Sequence, residues 1–161
     1  MSPEERQNLF DHVVSDHRGS LVGVCRAYAG PVWEDLLQEV FLQIWKGLPQ
    51  FEGQSELSTW AYRVAINTGL MWRRAYARRQ KSLSLADHSI EPPSGNHTDV
   101  RVLLDRFIET LDGGKRALLA MQLEGLSIEQ MSEVLEVPQG TIRVRLHRLS
   151  QQVNAWMGEQ S

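Results

Sequence analysis

The stretch SIEQMSEVLEVPQGTIRVRLHR, Ser127 to Arg148, decides how this chain folds. Ser127-Ile128-Glu129-Gln130 puts a hydroxyl first and an amide three residues on, the pattern of a capping box, so a helix begins here. Ile128, Met131, Val134 and Leu135 give that helix an apolar face. Glu136-Val137-Pro138 follows, and proline cannot continue the helix behind it but suits the first turn of the one ahead. In the second helix Ile142, Leu146, Leu149 and Val153 recur at helical intervals and form an inner stripe. Thr141, Arg143, Val144, His147 and Arg148 are left outward, with Arg145 near the boundary. Glu136 is the odd residue, because glycine commonly fills such a turn for its left-handed backbone.

Helix, tight turn, helix, with arginines near the start of the second helix, is the arrangement that enters a DNA major groove. Arginines placed there pair with guanine edges or with phosphates. The spacing alone is equally that of a helical hairpin with a solvated basic face. Charge distribution favours the groove. The formal net charge is −3, yet Trp60 to Lys81 holds six basic residues and no acid, and Pro138 to Ala155 again holds no acid. The acids gather at Glu4 to Asp16, Glu34 to Glu39 and Glu124 to Glu136. Phosphate binding responds to the local patch and not to the total. Two basic patches on an acidic chain predict two DNA contacts beside a separate acidic contact surface.

Working outward, almost everything but one stretch reads helical. Ser2-Pro3-Glu4-Glu5 starts a helix, and Leu9, Val13, Leu21, Val24 and Tyr28 continue at helical spacing with a break expected at Gly19. Gly30-Pro31 ends that unit. A second helix is predicted from about Val32 to Leu48, apolar along Leu36, Leu37, Val40, Phe41, Ile44 and Trp45. Phe51 to Ser58 reads as a polar loop, with Ser58 capping a third helix from about Thr59 to Lys81. Ser82 to Thr98, with Pro92-Pro93 and Ser94-Gly95-Asn96, reads as a linker. Helices resume over Val102 to Leu111 and Lys115 to Leu123. The single cysteine, Cys25, lies in an apolar pattern and reads as a buried, inert thiol suited to a reducing cytoplasm. No stretch has the roughly 20 apolar residues of a membrane span, and no secretory signal opens the chain. There is no phosphate-cradling glycine loop and no metal-ligand cluster; His12 and His17 lie off one helical face. Catalysis, cofactor, metal and small-molecule substrate are therefore not expected.

The motif Asp35-Leu36-Leu37-Gln38-Glu39-Val40-Phe41-Leu42-Gln43-Ile44-Trp45, then Phe51-x-Gly53, Ser58-Thr59-Trp60 and Tyr62-Arg63-Val64-Ala65-x-Asn67, resembles the extracytoplasmic-function (group IV) sigma factors of bacterial RNA polymerase. Glu124-Gly125-Leu126-Ser127, Pro138-x-Gly140-Thr141-Ile142-Arg143 and Arg145-Leu146-His147-Arg148 resemble the same family's C-terminal domain. The resemblance implies an all-α fold of two small helical domains joined by a flexible linker. They are an N-terminal region-2-like bundle (1–82) and a C-terminal helix-turn-helix region-4-like domain (101–161), with the linker at 83–100. It implies that Asp35, Gln38, Glu39 and Gln43 dock on the clamp-helix coiled coil of core polymerase. It further implies that Phe51, Gln54, Ser55, Trp60 and Asn67 read a melted −10 element. The flipped base of such an element needs a lip, a stacking surface and hydrogen-bonding groups. Arg63, Arg73 and Arg74 would bind backbone phosphates, though their spacing spreads them over more than one helix face.

Thr141, Arg143, Val144, His147 and Arg148 would contact the −35 element. Arg63-Val64 stands where housekeeping sigma factors carry adjacent tryptophans, which implies weaker melting and stricter promoter demands. Trp33 and Trp72 match no family signature. The implied partners are core RNA polymerase, promoter DNA and an inhibiting anti-sigma factor, in this family often membrane-anchored. Two other classes stay open on the residues alone. One is a helix-turn-helix regulator with a helical N-terminal sensing domain, which has no reason to contain the Asp35 to Asn67 block. The other is a helical interaction protein whose basic patches are solvated faces.

Overall fold

Ser2 opens the chain with a complete capping box: its Oγ accepts from the Glu5 amide and the Glu5 carboxylate accepts from the Ser2 amide. Two of the N–H groups that a helix start leaves without intrahelical partners are thereby satisfied, and α1 runs from Pro3 to Asp16. In the computed structural model, which describes residues 1–83 and 100–160, seven further α-helices follow. They are α2 (Arg18–Ala29), α3 (Trp33–Gly47), α4 (Leu57–Leu83), α5 (Val100–Glu109), α6 (Gly113–Leu123), α7 (Ile128–Leu135) and α8 (Gln139–Glu159). Short 3-10 turns at Gly30–Val32 and Leu48–Gln50 flank α3. Among the described residues there is no strand, and no helix is long and apolar enough to cross a membrane. The linker expected at 83–100 lies almost wholly outside the described residues.

Three expected boundaries move. The first long helix breaks at His17, two residues before Gly19, and His17 closes α1 while opening α2. Gly19 has open space around it and needs no special backbone, so its small side chain was a misleading signal. α4 begins at Leu57, with the Trp60 amide bonded to the Glu56 carbonyl, so Ser58 lies inside the helix instead of capping it. α6 begins at Gly113 because Asp112 caps it, accepting from the Lys115 amide at 2.9 Å.

The N-terminal half is a bundle of α1 to α4. Leu36, Leu37, Val40 and Ile44, the apolar side of α3, are buried against Leu21, Val24, Cys25 and Tyr28 of α2 and Ala61, Ala65 and Ile66 of α4. Cys25 is buried, as expected, and burial pushes its thiol pKa up to about 12. The C-terminal half buries Phe107, Leu111, Leu118, Met121, Met131 and Ile142, with Trp156 of α8 tilted against Phe107 at 5.4 Å between ring centroids. Each fully buried Leu or Ile contributes about 1.5–3 kcal/mol.

The two halves do not stand apart. α2 packs on α6 and α4 on α7, merging the buried side chains into one cluster. Tyr28 Oη donates to the Gly113 carbonyl at 2.6 Å, and Arg116 Nη1 donates to the Ala27 carbonyl at 2.8 Å. Gly113 has no side chain because Leu70 of α4 fills the place a Cβ would take.

Candidate nucleic-acid and polymerase-binding surfaces

The predicted helix-turn-helix is present. Ser127 Oγ accepts from the Gln130 amide (3.1 Å) and Gln130 Oε1 accepts from the Ser127 amide (2.8 Å), closing the capping box at the start of α7. At its end Glu136 adopts the left-handed conformation, φ 56° and ψ 40°, and is the one non-glycine residue with positive φ among the described residues. That geometry costs an L-residue about 1–2 kcal/mol. Ser132 holds the turn from both sides: its carbonyl accepts from the Val137 amide (3.3 Å) and its Oγ donates to the Val137 carbonyl (2.5 Å). Pro138 stands just ahead of α8.

In α8 Ile142 and Leu149 are buried, while Leu146 and Val153 pack half-buried beneath them. Arg143, Val144, His147 and Arg148 are exposed, Arg145 is exposed with them, and Thr141 is half-buried. The helix carries no acid before Glu159, and its positive N-terminal dipole end adds to the arginines. The exposed side of α8 is therefore cationic.

The residues expected to meet the −10 element fall into three groups. Phe51 and Trp60 lie together at one end of α4, ring centroids 5.3 Å apart at 42°. Gly47 makes room for the Trp60 ring, since a Cβ there would come within 2.9 Å of it. Both aromatics are half-buried; Gln54 is exposed beside them and bonds Glu52, and Ser55 is half-buried. The second group, Asn67 and Arg74, is exposed and shares one face of α4, two turns apart. The third group turns toward the C-terminal half. Arg63 Nε donates to the carbonyls of Glu133 (3.1 Å) and Val134 (3.2 Å), its Nη2 also reaches the Glu133 carbonyl, and its Nη1 lies 3.6 Å from the Glu136 carboxylate. Arg73 is half-buried in a cleft of about 570 Å³ between the halves, together with Trp72, Tyr76 and Arg116.

On α3, Asp35 and Gln38 are exposed, while Glu39 and Gln43 are half-buried and bonded to each other at 2.7 Å. Leu42 stands exposed among them, so the acidic face carries an apolar centre that counting polar residues misses. The sequence reading also missed Arg116, only 2% exposed, which bonds the Leu111 and Ala27 carbonyls. Burial, followed by the like charge of Arg73, lowers its pKa, although a guanidinium keeps its proton regardless. Nothing in Lys115-Arg116-Ala117-Leu118 marks it as buried, because its acceptor lies on a helix 89 residues away. Trp33 takes the Arg26 guanidinium over its ring at 5.1 Å, and Trp72 packs against the core. His12 pairs with Asp16 at 2.9 Å, and no metal-holding group occurs among the described residues.

Residues 13–79 match the family model for sigma-70 region 2 and residues 101–152 match that for sigma-70 region 4. Those two regions in that order define an RNA polymerase sigma factor. The chain is 30% identical to the ECF RNA polymerase sigma-E factor of Escherichia coli over 92% of its length and 86% of that protein's. It is 28% identical to the sigma-E factor of Haemophilus influenzae (91% and 86%) and 26% identical to the RNA polymerase sigma-H factor of Pseudomonas aeruginosa (92% and 86%). The chain belongs to the extracytoplasmic-function family of sigma factors.

Its fold is that of the sigma factor RpoE solved with the anti-sigma factor NepR from Bartonella quintana (TM-score 0.71, 18% identity, 92% of this chain and 96% of that one). It is equally that of CnrH solved with the cytosolic domain of CnrY (TM-score 0.70, 20% identity, 96% and 91%). Sigma factors are promoter-specificity subunits: they bind core polymerase and direct initiation as non-enzymatic factors. The region 2 match over residues 13–79 tells against a helix-turn-helix regulator with a sensing domain.

Proposed function

We propose that residues 1–82 bind core polymerase and the −10 element, that residues 101–161 bind the −35 element, and that 83–100 tether the two. Asp35, Gln38, Glu39 and Gln43 form the polymerase contact around Leu42. Phe51, Gln54, Ser55, Trp60 and Asn67 receive the −10 bases, with Arg63, Arg73 and Arg74 on the phosphates. Thr141, Arg143, Val144, His147 and Arg148 read the −35 duplex. The chain performs no catalysis, works in the cytoplasm and is held inactive by an anti-sigma factor. The sigma factors of like fold solved with anti-sigma partners support that last point.

The observation that carries the reading is the pairing on one chain of a helix with no acid before Glu159 and four exposed basic residues with an acidic helix face built around an exposed leucine. Run-off transcription with purified core enzyme on genomic promoters tests it, transcripts being expected only when the chain is present. Gln38→Lys with Glu39→Lys is expected to abolish core binding in a pull-down while helicity stays unchanged. Unaltered affinity would remove α3 from the polymerase contact.

A further inference from the structure

Four arginines, Arg26, Arg73, Arg106 and Arg116, line one cleft of about 570 Å³, against two carboxylates, Asp105 and Glu109. The cleft opens between α2 and α4 of one half and α5 and α6 of the other. Arg116 is the most buried of the four, 2% exposed, and its Nη2 is buried with no hydrogen-bond partner among the described residues. A buried donor is normally paired, so an orphaned guanidinium nitrogen at a cleft wall calls for an acceptor. Arg73, half-buried on α4, makes no hydrogen bond or ion pair with any described residue. Burial, and then the like charge of Arg73, act against the charged form of Arg116, and a guanidinium cannot escape by losing its proton. What relieves the pair is an anion. The same wall is aromatic: Trp72 is half-buried beside Arg73, and Tyr76, one helical turn beyond Trp72, is 44% exposed.

We propose that this cleft binds a nucleotide, its phosphates between Arg73 and Arg116 and its base on the rings of Trp72 and Tyr76. A guanidinium fork pairs two phosphate oxygens at once, and an aromatic face stacks any base. The volume lies in the range of small-molecule sites, roughly 300–1,000 Å³. Asp105 and Glu109, exposed on α5, supply acceptors for the sugar hydroxyls, which an inorganic phosphate lacks. Arg26 and Arg106, exposed at the rim, draw the anion in by charge. Because the walls belong to different halves, an occupant ties α4 to α6, and its binding is read as added stability of the whole chain. None of this depends on Arg73 also meeting promoter phosphates.

The test is isothermal titration of the full chain, without polymerase or magnesium, with ADP and separately with pyrophosphate, followed by thermal melting in the same solutions. ADP is expected to bind saturably at one site and to raise the melting midpoint. Pyrophosphate is expected to bind about tenfold more weakly for want of a base. Arg73→Ala and, separately, Tyr76→Ala are each expected to weaken ADP binding about tenfold. Arg145→Ala, which removes the same charge from an exposed position on α8, is expected to bind ADP as the parent does. Tyr76 is exposed, so its variant reports on the site even if Arg73→Ala melts early. No saturable binding at millimolar ADP overturns the site. An equal loss in Arg145→Ala and Arg73→Ala also overturns it, since that marks diffuse attraction to cationic surface. Equal affinity for pyrophosphate and ADP, or a Tyr76→Ala variant that binds as the parent, removes the base from the cleft and with it the nucleotide.

Discussion

At the residue scale, burial sets the behaviour of Cys25, Tyr28 and Arg116. Cys25 titrates near 12 instead of 9.0 because desolvation disfavours the thiolate. A group whose acidic form is protected in the folded state leaves stability unaffected while both states are protonated. Above pH 9.0 the unfolded chain ionises first, so stability falls as pH rises toward 12. The expected slope is about 1.4 kcal/mol per pH unit in that window, measured by urea unfolding at pH 8 and pH 10. The folded thiol should meanwhile resist Ellman's reagent at pH 8. Tyr28, raised mainly by burial, acts in the same direction at higher pH.

Arg116→Ala deletes the donors to two carbonyls that are buried beneath it. A loss of about 2–4 kcal/mol is expected in chemical denaturation, since orphaned buried acceptors and lost packing add together. This role was invisible in the sequence, where a lone arginine before an apolar run reads as a surface residue.

At the element scale, α7 and α8 are the best-specified part of the chain. Ser127→Ala removes one half of the capping box and is expected to lower stability by about 1 kcal/mol, seen as a lower thermal midpoint in circular dichroism. Arg143→Ala with Arg148→Ala should leave the melt unchanged, both side chains being exposed. The pair is expected to weaken −35 duplex binding at least tenfold and to flatten its salt dependence by about two units of slope, measured by anisotropy across a salt series. An unchanged salt slope would mean that neither arginine touches phosphate. α4 behaves differently, because its arginines meet three different surroundings. Its basic content was legible, but which arginine looks outward was not: Arg63, Arg73 and Arg74 are divided between the α7 turn, the cleft and solvent.

At the scale of the whole molecule, the continuous buried cluster couples the halves. Trp156 reports on the C-terminal half, while Trp33, Trp45, Trp60 and Trp72 lie in the N-terminal one. Urea unfolding of variants retaining tryptophan in only one half is expected to give coincident transitions. Tyr28→Phe keeps the ring but loses the 2.6 Å bond to Gly113. It should loosen the seam by about 1 kcal/mol and draw the two transitions apart. Transitions already separate in the parent would show that the seam contributes nothing in solution.

The sequence by itself determined what short-range chemistry determines: the helix starts at the Ser2 and Ser127 capping boxes, helix faces from apolar periodicity, and an outward arginine row on α8. The order of its two motif blocks was enough to suggest the family. The glutamate at the left-handed turn was legible as an anomaly because one backbone position demands one geometry. Only the tertiary structure decided where α4 points its arginines, why Arg116 is buried and how the halves meet. Each of these depends on an acceptor far along the chain: 70 residues from Arg63 to Glu133, 85 from Tyr28 to Gly113 and 89 from Arg116 to Ala27. Periodicity records which face of a helix is apolar; it carries no record of which distant carbonyl lies opposite.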